Sequence, residues 1–538
     1  MTRIFEQLLA QRGLSEDFLH PRYEDLFDPF LMQGVKEAVE RIEQARQNGE
    51  KIIIYGDYDA DGVTSSTVCR DALEHYGCNN VEIMLPNRFK DGYGLNKPAV
   101  AEIEERGAKL VITVDCGSGS GEVIQALSEL GIDTIVTDHH EIPKMPKDAV
   151  AVINPKRSGE KYGLNMAGVG VAFTLARALN KKKNNGATCD GQEKWLLDMV
   201  AIGTVCDSMV LREENRIMVH YGMVVLGKTR RRGVQELARV AGCSLSDVNT
   251  HAIGFQLGPR INAAGRMKSA DVALELMLTN SRSDAVRLAD ELNELNRARR
   301  QAQDDAVREV NDDFDGDSVI VACGDWHEGV VGIIAGRLSE IYRRPAFALT
   351  RLDDGTLKGS GRSFGEFSLA NALRACPDGL LLSGGGHAGA CGLSMESERL
   401  GDFKKQMNDY YRSLGLKNQE RFLRQESDIV LKDLNGLDLV LFDEIQQLEP
   451  FGVGNEEPIF EFSGRVVSTR VLKEKHLSLM VSDGENEIRL IGFYVPDEWR
   501  TVENGDFVKV QFTLTRNEWR GRVSLEGAII SLEEIEQM

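Results

Sequence analysis

Short apolar runs alternate with longer amphipathic stretches between residue 51 and about residue 210. The apolar runs read KIIIY, VEIML, KLVITV, DTIVT and AVAVI, and each has the length of a strand. Strand-like runs separated by helical stretches are typical of βαβ units, which build a parallel sheet. The pattern therefore predicts an N-terminal helical segment over residues 1–50, followed by an α/β domain over residues 51–280.

Three further patterns follow along the chain. Residues 281–312 lack Gly and Pro, and Leu288, Leu292 and Leu295 recur at helical spacing, which predicts a long connecting helix. Residues 313–425 open with the strand-like run SVIVAC and predict a smaller α/β domain. Residues 426–538 contain five or so short strand patterns, which favour a small OB-fold-like barrel and leave a β-sandwich as the alternative. The predicted fold class is α/β, with a parallel-sheet domain, a smaller α/β domain joined to it by a long helix, and a C-terminal barrel.

Composition narrows the class of protein. The 538 residues are 42% hydrophobic and 28% charged, which is ordinary for a soluble multidomain protein. The sequence has no apolar run of membrane-spanning length and no signal peptide, and its nine cysteines form no CxxC pair, so we expect a cytoplasmic protein with free thiols and no membrane partner. The net charge of −20 argues at first sight against a nucleic-acid partner, but carboxylates that bind metal would account for part of this negative charge.

The run Lys51–Gly62, KIIIYGDYDADG, ends in three alternating aspartates, Asp57, Asp59 and Asp61. Carboxylates fanned around the end of a strand repel one another unless a cation lies between them, so the segment predicts a divalent metal site. A calcium loop of the EF-hand type is excluded because its twelfth position, here Val68, should be glutamate. A solvated acidic turn is the alternative interpretation.

Other metal-binding residue types follow later elements of the same predicted sheet. Asp115 follows KLVITV, the triplet Asp138-His139-His140 follows DTIVT, and Asp207 follows the apolar helix WLLDMVAIGTVC. A single aspartate after a strand usually caps the next helix, but these residues together supply several ligands at one sheet edge. Mixed carboxylate and imidazole ligands favour Mn²⁺ and also accept Mg²⁺.

The order DYDADG, DCG, DHH and Asp207 resembles the motif set of the DHH phosphoesterase superfamily. The segment Gly385–Gly392, GGHAGACG, resembles the motif of the DHH-associated domain, and with GSGRS at 359–363 the chain is similar over nearly its full length to the bacterial single-strand exonucleases of that superfamily. The resemblance implies two ions bridged by Asp115, with His140 at the scissile phosphate. It also implies the remaining ligands Asp59, Asp61, His139 and Asp207. Many members carry a metal-binding histidine where this chain has Tyr55, and we expect Asp57 to take its place.

Substrate contacts are expected mainly from arginines and loop donors. The loop Ser360–Ser363 offers hydroxyl, guanidinium and backbone donors for a terminal phosphate, although GSGRS is also compatible with a plain turn. The resemblance implies that Ser360, Arg362 and Arg88 hold the 5′-phosphate. Further candidates are Arg260, Asn262, Arg266, His387 and Trp519, with Arg465, Arg470, Lys473, Lys475, Arg516 and Arg520 on the barrel. His387 could equally be a packed structural histidine, and His327 is as compatible with a domain interface as with substrate.

The resemblance implies a 5′-to-3′ exonuclease that is specific for single-stranded DNA. It would release 5′-mononucleotides by two-metal-ion phosphodiester hydrolysis without a covalent intermediate, and act in DNA repair and recombination. Implied partners are a single-strand-binding protein and a helicase, and a monomer is favoured. One alternative is a DHH enzyme for nanoRNA, cyclic dinucleotides or pyrophosphate, which would not need the barrel. The other is a non-catalytic replication scaffold, which would not need the ligands. Preference for DNA over RNA stays open, since one or two contacts to the 2′-hydroxyl decide it.

Overall fold

The computed structural model describes residues 1–89, 94–184, 191–313, 316–416 and 426–535. Its contacts divide the chain into two compact units. The larger unit contains residues 27–209 and 221–424, and the smaller unit contains residues 1–26, 210–220 and 425–538. The junction expected at residue 425 lies outside the described residues.

The chain begins with two helices of the smaller unit, α1 (Arg3–Arg12) and α2 (Glu16–Leu19). Thr2 caps α1 by accepting a hydrogen bond from the Phe5 amide, and Gly13 ends the helix in the left-handed conformation that glycine adopts without strain. The helix buries Phe5 and Leu8 in the core of the C-terminal barrel. The N-terminal helices are therefore part of the barrel unit.

The larger unit opens with an α/β domain whose strands form one parallel sheet in the order β2-β1-β3-β4-β5. All five strand-like runs predicted for this region are strands. Its elements are α3 (Val35–Asn48), β1 (Ile52–Tyr55), α4 (Ala60–Tyr76), β2 (Val81–Met84), α5 (Lys97–Glu105), β3 (Leu110–Val114), α6 (Gly121–Glu129), β4 (Asp133–Thr137), β5 (Ala151–Ile153), α7 (Gly168–Lys183) and α8 (Leu197–Cys206). Strands β1 and β3 are buried throughout, as expected for a sheet with helices on both faces.

A helical region joins the two α/β domains. It contains α9 (Glu213–Leu226), α10 (Arg232–Ala241), α11 (Thr250–Ala252), a π-helical turn (Ile253–Leu257), α12 (Gly258–Met267), α13 (Asp271–Leu278) and α14 (Arg282–Asp313). The long helix α14 buries Ala285, Leu288, Ala289 and Leu292 at the spacing of one helical face. This helix is the connecting helix expected from the sequence.

The second α/β domain is a mixed sheet in the order β6-β7-β8-β10-β9. Strands β6 and β7 are parallel and the remaining neighbours are antiparallel. Its elements are β6 (Ile320–Gly324), α15 (Val331–Tyr342), β7 (Ala346–Arg351), β8 (Thr356–Arg362), α16 (Leu369–Arg374), β9 (Ser383–Gly386), β10 (Ala390–Glu396) and α17 (Leu400–Ser413). Strand β8 ends at Arg362, and the exposed strand β9 lies at the sheet edge.

The smaller unit is completed by a closed five-stranded barrel, formed when β12 pairs with both β13 and β15. Its elements are β11 (Ile429–Leu431), α18 (Leu439–Gln446), β12 (Phe460–Leu472), β13 (His476–Ser482), β14 (Glu487–Gly492), β15 (Phe507–Trp519) and β16 (Arg522–Ile535). The OB-like barrel is confirmed, and the sandwich alternative is wrong because a sandwich leaves the two sheets open. Within the described residues, the helices include none that is both long and apolar enough to span a membrane.

Candidate metal centre and substrate site

The acidic segments converge because the strands that precede them are parallel neighbours. In the order β2-β1-β3-β4-β5, the chain leaves β1 in one direction and β3 in the other, and ligands bind at such a reversal, beyond the carboxyl ends of the strands. The aspartates at 57, 59 and 61 follow β1, Asp115 follows β3, and the histidines at 139 and 140 follow β4. Helix α8 ends one residue before Asp207, which joins the group from the helical layer.

His139 lies at the centre of this group. Its Nε2 atom is 3.2 Å from Asp115 Oδ1, 3.6 Å from Asp207 Oδ2 and 3.9 Å from Asp61 Oδ2. Among the described residues, three overlapping sets place one ligand atom each within 4.8 Å of the others. The sets are Asp57–Asp59–Asp115, Asp61–His139–Asp207 and Asp115–His139–His140. Asp115 belongs to the first and third of these sets and His139 to the second and third, so the three sets form one continuous cluster of groups that could hold a metal ion.

Backbone amides fix two of the carboxylates. Asp59 caps α4 by accepting hydrogen bonds from the amides of Asp61 at 2.9 Å and Gly62 at 3.0 Å. Asp61 accepts from the first amides of α7, Gly168 at 2.7 Å and Val169 at 2.9 Å. The positive end of that helix therefore stabilises a carboxylate that is otherwise buried among acidic groups.

Asp115 is held by close packing in an unusual backbone conformation. Its φ angle is +58°, in the left-handed region that residues with a side chain rarely adopt. A Cβ atom at position 168 would lie 2.6 Å from both the Cβ and the Oδ1 atom of Asp115. Glycine at 168 is thus required for α7 to reach the carboxylate. Strained backbone of this kind occurs preferentially at functional sites.

The buried carboxylates of the cluster repel one another, which favours the binding of a cation. Burial, together with neighbouring carboxylates, raises the pKa values of Asp57, Asp61 and Asp115 well above the usual range. Burial and the Asp59 carboxylate raise the pKa of Asp207 to about 7. Oxygens of Asp57, Asp115 and Asp207 are buried without a hydrogen-bond partner. Unsatisfied carboxylate oxygens that face one another fit divalent cations, which supply both the charge and the coordination.

The two adjacent histidines are in different environments. Burial, followed by the neighbouring His140, lowers the pKa of His139 to about 4, so its imidazole is neutral and can offer a lone pair to a metal. His140 places Nδ1 2.9 Å from Asp138 Oδ1. Burial opposes charge on His140, but the Asp138 carboxylate outweighs it and raises the pKa. His140 is therefore suited to hold a proton next to an anion.

Tyr55 occupies the position at which many members of the DHH superfamily carry a metal-binding histidine. Its side chain is buried in the hydrophobic core of the sheet, and its hydroxyl donates to the carbonyl of Gly94 at 3.3 Å. The nearest substitute is Asp57, which has an unpaired buried oxygen within the Asp59–Asp115 set. Asp57 as a ligand stays a prediction that this arrangement supports.

Three arginines lie close enough to perturb one another, and two of them, Arg88 and Arg266, also interact with the aspartates of the acidic cluster. Burial, and then the charge of Arg88, lower the pKa of Arg266 to about 10, with smaller contributions from Arg362. Burial lowers the pKa of Arg362 as well, and Arg88 contributes. Arg88 lies over the Tyr58 ring, with 5.3 Å between its Cζ atom and the ring centroid. Guanidinium groups that perturb one another in this way form a site for an anion such as phosphate.

The loop residues predicted with Arg362 lie beside it. Arg362 Nη1 donates to Ser360 Oγ at 2.9 Å, and Ser360 Oγ donates to the Cys391 carbonyl at 2.9 Å. These residues belong to β8, so the GSGRS segment is strand and not a plain turn. His327 of the second domain contacts Phe89 of the first edge to face, with ring centroids 5.4 Å apart, which matches the interface interpretation for this histidine.

Other predicted substrate residues have different surroundings. Arg260 donates to Asn293 Oδ1 at 3.1 Å, to the Gln256 carbonyl at 2.6 Å and to the Val240 carbonyl at 3.3 Å, so its guanidinium is held by protein acceptors. Asn262 Oδ1 accepts from the Ala60 amide at 2.7 Å and so holds the DYDADG turn. These contacts indicate positioning functions for both side chains.

Two predicted residues are exposed. His387 follows β9 on the exposed sheet edge, where its amide donates to the Ala390 carbonyl at 2.8 Å. Trp519 ends β15 in the smaller unit and is 68% exposed, with Arg520 over its ring. Their accessibility is compatible with binding a strand, and their roles stay predictions.

The sequence placed Asp138 in the triplet of candidate ligand residues, but its separate role was not predicted. Besides His140, it accepts from the amides of Ser118 at 2.8 Å and His139 at 2.7 Å. Although burial works against ionisation, the His140 side chain and the amides of His140 and Ser118 lower the pKa of Asp138 to about 2, so it remains an anion. The signal was its place at the start of the DHH triplet, directly before two site histidines.

Comparison with family models divides the chain in the same way. The model of the DHH family, N-terminal domain, matches residues 51–204. The DHHA1 domain matches residues 316–413, and the RecJ OB domain matches residues 428–531. The three matches follow the two α/β domains and the barrel in order.

Several curated relatives and solved structures carry the name RecJ. The Bacillus subtilis single-stranded-DNA-specific exonuclease RecJ is 36% identical, with 97% of this chain and 67% of that protein covered. The Escherichia coli protein of the same name is 34% identical, with 97% and 94% covered. The structure of RecJ from Thermus thermophilus in complex with Mn²⁺ matches with a TM-score of 0.84 and 29% identity, covering 99% of this chain and 76% of that one. A structure of the same protein with Mg²⁺ matches with a TM-score of 0.77 and 27% identity, covering 99% and 75%.

Proposed function

The chain belongs to the RecJ family of single-stranded-DNA-specific exonucleases, and we propose that it degrades single-stranded DNA from the 5′ end and releases 5′-mononucleotides. The observation that carries this proposal is the cluster of overlapping ligand sets that includes Asp115, beside the trio Arg88, Arg266 and Arg362. Hydrolysis of a DNA strand from its end needs positive charge at the scissile phosphate and at the terminal phosphate. The larger unit has candidate groups for both, the metal-ligand sets for the first and the arginines for the second.

The ligand assignment follows the sets. The set Asp61–His139–Asp207 would hold one cation and the set Asp57–Asp59–Asp115 the other, and Asp115, whose Oδ1 atom lies 3.2 Å from His139 Nε2, would be shared between them. Divalent cations bound there would neutralise charge on the phosphate oxygens and lower the pKa of a water molecule. The mixed oxygen and nitrogen ligands favour Mn²⁺ and also accept Mg²⁺.

The protein groups around the phosphate have separate tasks. His140, protonated and held by Asp138, would donate to an oxygen of the scissile phosphate. A water oxygen then bonds to phosphorus while the bond from phosphorus to the 3′-oxygen of the terminal nucleotide breaks, and a proton passes to that oxygen. The products are a 5′-mononucleotide and a strand with a new 5′-phosphate. No side chain needs to bond covalently to the substrate.

Polarity is supported by the arginine trio. Arg362, fixed on β8 beside Ser360, and Arg88 would bind the 5′-terminal phosphate. Arg266 lies near enough to Asp59 for that carboxylate to work against the lowering of the Arg266 pKa by burial and Arg88. Because hydrolysis leaves a 5′-phosphate on the shortened strand, the same anchor would serve every cycle. A 3′-hydroxyl end offers no terminal phosphate to these groups.

The remaining proposals concern context and rest on family membership. We propose that the barrel extends the binding surface for the strand, with Trp519 as one stacking residue. We propose further that the protein acts in the cytoplasm as a monomer in DNA repair and recombination, with a single-strand-binding protein and a helicase supplying the substrate. Sedimentation of the purified chain would test the monomer directly.

The deciding experiment is degradation of single-stranded DNA labelled at the 5′ or the 3′ end, with Mn²⁺, by wild type and by Asp115→Ala. We expect the 5′ label to appear at once as a mononucleotide and the 3′ label to appear only late. The variant should be inactive because one ligand set loses a member and the other loses the carboxylate next to His139. Gly121→Ala serves as the control, since a Cβ atom there meets only Pro146 at 4.0 Å.

Release of the 3′ label first would refute the polarity. Hydrolysis of dinucleotides or pyrophosphate without degradation of long strands would refute the exonuclease proposal and leave the barrel without a role. Wild-type activity in Asp115→Ala would refute the shared carboxylate.

A further inference from the structure

Two glycines allow helix α12 to pack, backbone against backbone, on both α/β domains of the larger unit. A Cβ atom at Gly329, in the loop before α15, would lie 1.8 Å from the carbonyl oxygen of Arg266 in the last turn of α12. A Cβ atom at Gly265, next to Arg266, would lie 2.5 Å from the carbonyl oxygen of Tyr58. Neither glycine has a φ angle in the left-handed region, so lack of space, and not backbone conformation, requires glycine at both positions. We call Gly265 and Gly329 the glycine spacer.

One side of the spacer holds the turn that carries candidate metal ligands. Tyr58 lies between Asp57 and Asp59 in the DYDADG turn. Helix α12 holds this turn at a second position, because Asn262 Oδ1 accepts a hydrogen bond from the Ala60 amide at 2.7 Å. The helix and the turn are therefore fixed to one another at two positions.

The other side of the spacer leads to the residues proposed for the terminal phosphate. Gly329 lies two residues before α15 begins at Val331. A Cβ atom at Gly332, in the first turn of that helix, would lie 3.3 Å from Arg362 Nη2 and 3.4 Å from Ser360 Oγ. The first turn of α15 therefore packs against the proposed anchor, and a short piece of chain connects this contact to the contact with α12.

The loop that contains Gly329 is held in place by His327. The Gly329 amide donates to His327 Nδ1 at 3.1 Å, and the Val330 amide donates to the His327 carbonyl at 3.0 Å. The His327 ring in turn contacts Phe89 of the first domain. The hydrogen bonds and the ring contact therefore give this loop a defined position against the first domain.

The spacer leaves no room for a side chain at position 329. The atoms that an added Cβ would meet there belong to the backbone, which cannot turn aside as the end of a flexible side chain can. A carbon atom in contact with a carbonyl oxygen lies about 3.3–3.6 Å from it, so an added Cβ would separate the second domain from α12 by about 1.5 Å. A misplacement of about 1 Å can cost about 100-fold in rate. Alignment between the two domains therefore depends on this glycine.

We propose that the glycine spacer sets the distance between the terminal-phosphate anchor and the metal centre, so that a strand held by its 5′-phosphate places its first phosphodiester at the cations. Because α12 contacts both the ligand turn and the loop that leads to the anchor, these close contacts fix how much of the strand lies between anchor and cations. Gly265 and Gly329 are positioning residues, since they act through the segments that they hold. This inference rests on the proposed function and supplies a physical reason for release of one nucleotide at a time.

The test compares kcat, KM and binding for Gly329→Ala and wild type, on oligonucleotides with a 5′-phosphate or a 5′-hydroxyl. We expect kcat on the 5′-phosphorylated strand to fall about 100-fold, because the anchored strand is no longer aligned at the cations. The fall on the 5′-hydroxyl strand should be smaller, since this strand is not held at the anchor. Binding of the phosphorylated strand in EDTA and Mn²⁺ affinity by calorimetry should stay unchanged, because neither the anchor nor a ligand is removed.

Gly401→Ala is the matched control in the second α/β domain. In the described part of the chain, an added Cβ atom at this exposed glycine of α17 would have no neighbour within 4 Å outside its own helical turn. This variant should match wild type in every measurement. A crystal structure of Gly329→Ala reads the distance directly, and Arg362 Cζ and Asp59 Cγ should be farther apart than in wild type by roughly 1–1.5 Å.

A substrate of altered length tests the distance by a second route. One extra methylene group between the 5′-phosphate and the terminal ribose lengthens the strand by about 1.5 Å, the length of one C–C bond. Wild type should cut this substrate with a lower kcat than the natural strand, and Gly329→Ala should cut it with a higher one. Gly265→Ala, whose Cβ atom would meet the Tyr58 carbonyl, replaces Gly329→Ala if that variant does not fold, and should show the same reversal.

The outcomes for the two proposals are distinguishable. Wild-type kcat in folded Gly329→Ala, or equal falls on both strands without recovery on the lengthened substrate, would overturn the spacer inference. A wild type that cuts the lengthened and natural strands equally fast would overturn it without any variant. If wild type fails to degrade labelled DNA with Mn²⁺, the proposed function falls; if it degrades DNA while these comparisons fail, only the spacer inference falls. Circular dichroism and the melting temperature establish that each variant is folded.

Discussion

Substitution of Gly168 by alanine should disable the metal centre without removing any ligand. The new Cβ atom would lie 2.6 Å from Asp115 Cβ and 2.8 Å from Asp115 Cα, whereas carbon atoms in ordinary contact are about 3.5–4.0 Å apart. Either α7 or the Asp115 turn must therefore move by roughly 1 Å. The same movement disturbs the hydrogen bond from the Gly168 amide to Asp61. Two ligands are displaced together.

The expected effect is large because both metal affinity and substrate alignment depend on these positions. Loss of a supporting contact typically costs about 10–100-fold in metal affinity, and a displacement near 1 Å can cost about 100-fold in rate. We expect Mn²⁺ affinity, measured by calorimetry, to fall at least about tenfold. The rate at saturating Mn²⁺ should fall by about two orders of magnitude. Overpacking should also lower stability by about 1–3 kcal/mol.

The control is Gly121→Ala at the start of α6, where the nearest atom to the added Cβ is Pro146 Cα at 4.0 Å. It should bind Mn²⁺ and cut DNA as wild type does. A folded Gly168→Ala variant with wild-type Mn²⁺ affinity and rate would show that the close contact with Asp115 does not position the ligand, and would refute the reasoning.

Four further predictions address the neighbouring groups. Arg88→Ala and Arg362→Ala should each reduce the preference for a 5′-phosphorylated over a 5′-hydroxyl strand, measured as the ratio of kcat/KM values; an unchanged ratio would exclude them as the terminal anchor. Asn262→Ala removes the acceptor of the Ala60 amide and should destabilise the native conformation of the DYDADG turn by about 1 kcal/mol. We expect Mn²⁺ binding to weaken while DNA affinity in EDTA stays unchanged. Arg260→Ala loses three hydrogen bonds and should lower the free energy of unfolding in urea by roughly 2–4 kcal/mol; a stable variant with weaker DNA binding would instead favour a substrate role. Removal of divalent cations should abolish hydrolysis and lower the melting temperature, because the buried carboxylates lose their counter-charge, and Mn²⁺ should restore both; an unchanged melting temperature would contradict metal binding at these groups.

The strands of the first domain were predictable because their pattern is local. Runs such as Ile52–Tyr55 are apolar throughout, and a strand covered by helices on both faces needs no alternation. The aspartates after β1 and β3 could be placed at one sheet edge because parallel strands share their carboxyl ends. The meeting of these residues with Asp207 was predicted first from residue types and then from family resemblance, and not from periodicity, since a helix end carries no local sign of which sheet edge it faces.

Two arginines on helix α12 show which part of the site could not be predicted from the sequence. Arg260 and Arg266 are six positions apart on α12, which turns them about 120° from one another at 3.6 residues per turn. Arg260 reaches Asn293 on α14, and Arg266 lies near Asp59. Both are arginines in one glycine-rich motif, and only tertiary packing decides which face of α12 turns toward the metal centre.

The N-terminal helices show a second limit. Arg12 forms a paired contact with Asp428, with nitrogen–oxygen distances of 2.6 and 2.8 Å, and α1 contributes Phe5 to the barrel core. These partners are more than 400 positions apart in the sequence. Periodicity predicted the helices, but a contact at that separation leaves no mark on the local pattern, so their assignment to the barrel unit required the structure.

The charges of the larger unit explain why metal and DNA should bind together. If the arginines were ion-pair partners of the carboxylates, the pKa of Asp57 would be lowered and that of Arg266 would be raised. The opposite holds: burial and Asp59 raise the pKa of Asp57 despite Arg88, and burial and Arg88 lower the pKa of Arg266 despite Asp59. The attraction between the two clusters does not offset burial and the repulsion within each cluster, so the carboxylates still favour cations and the guanidinium groups still favour anions. A phosphate strand with divalent cations supplies both counter-charges at once, and each ligand therefore favours the binding of the other.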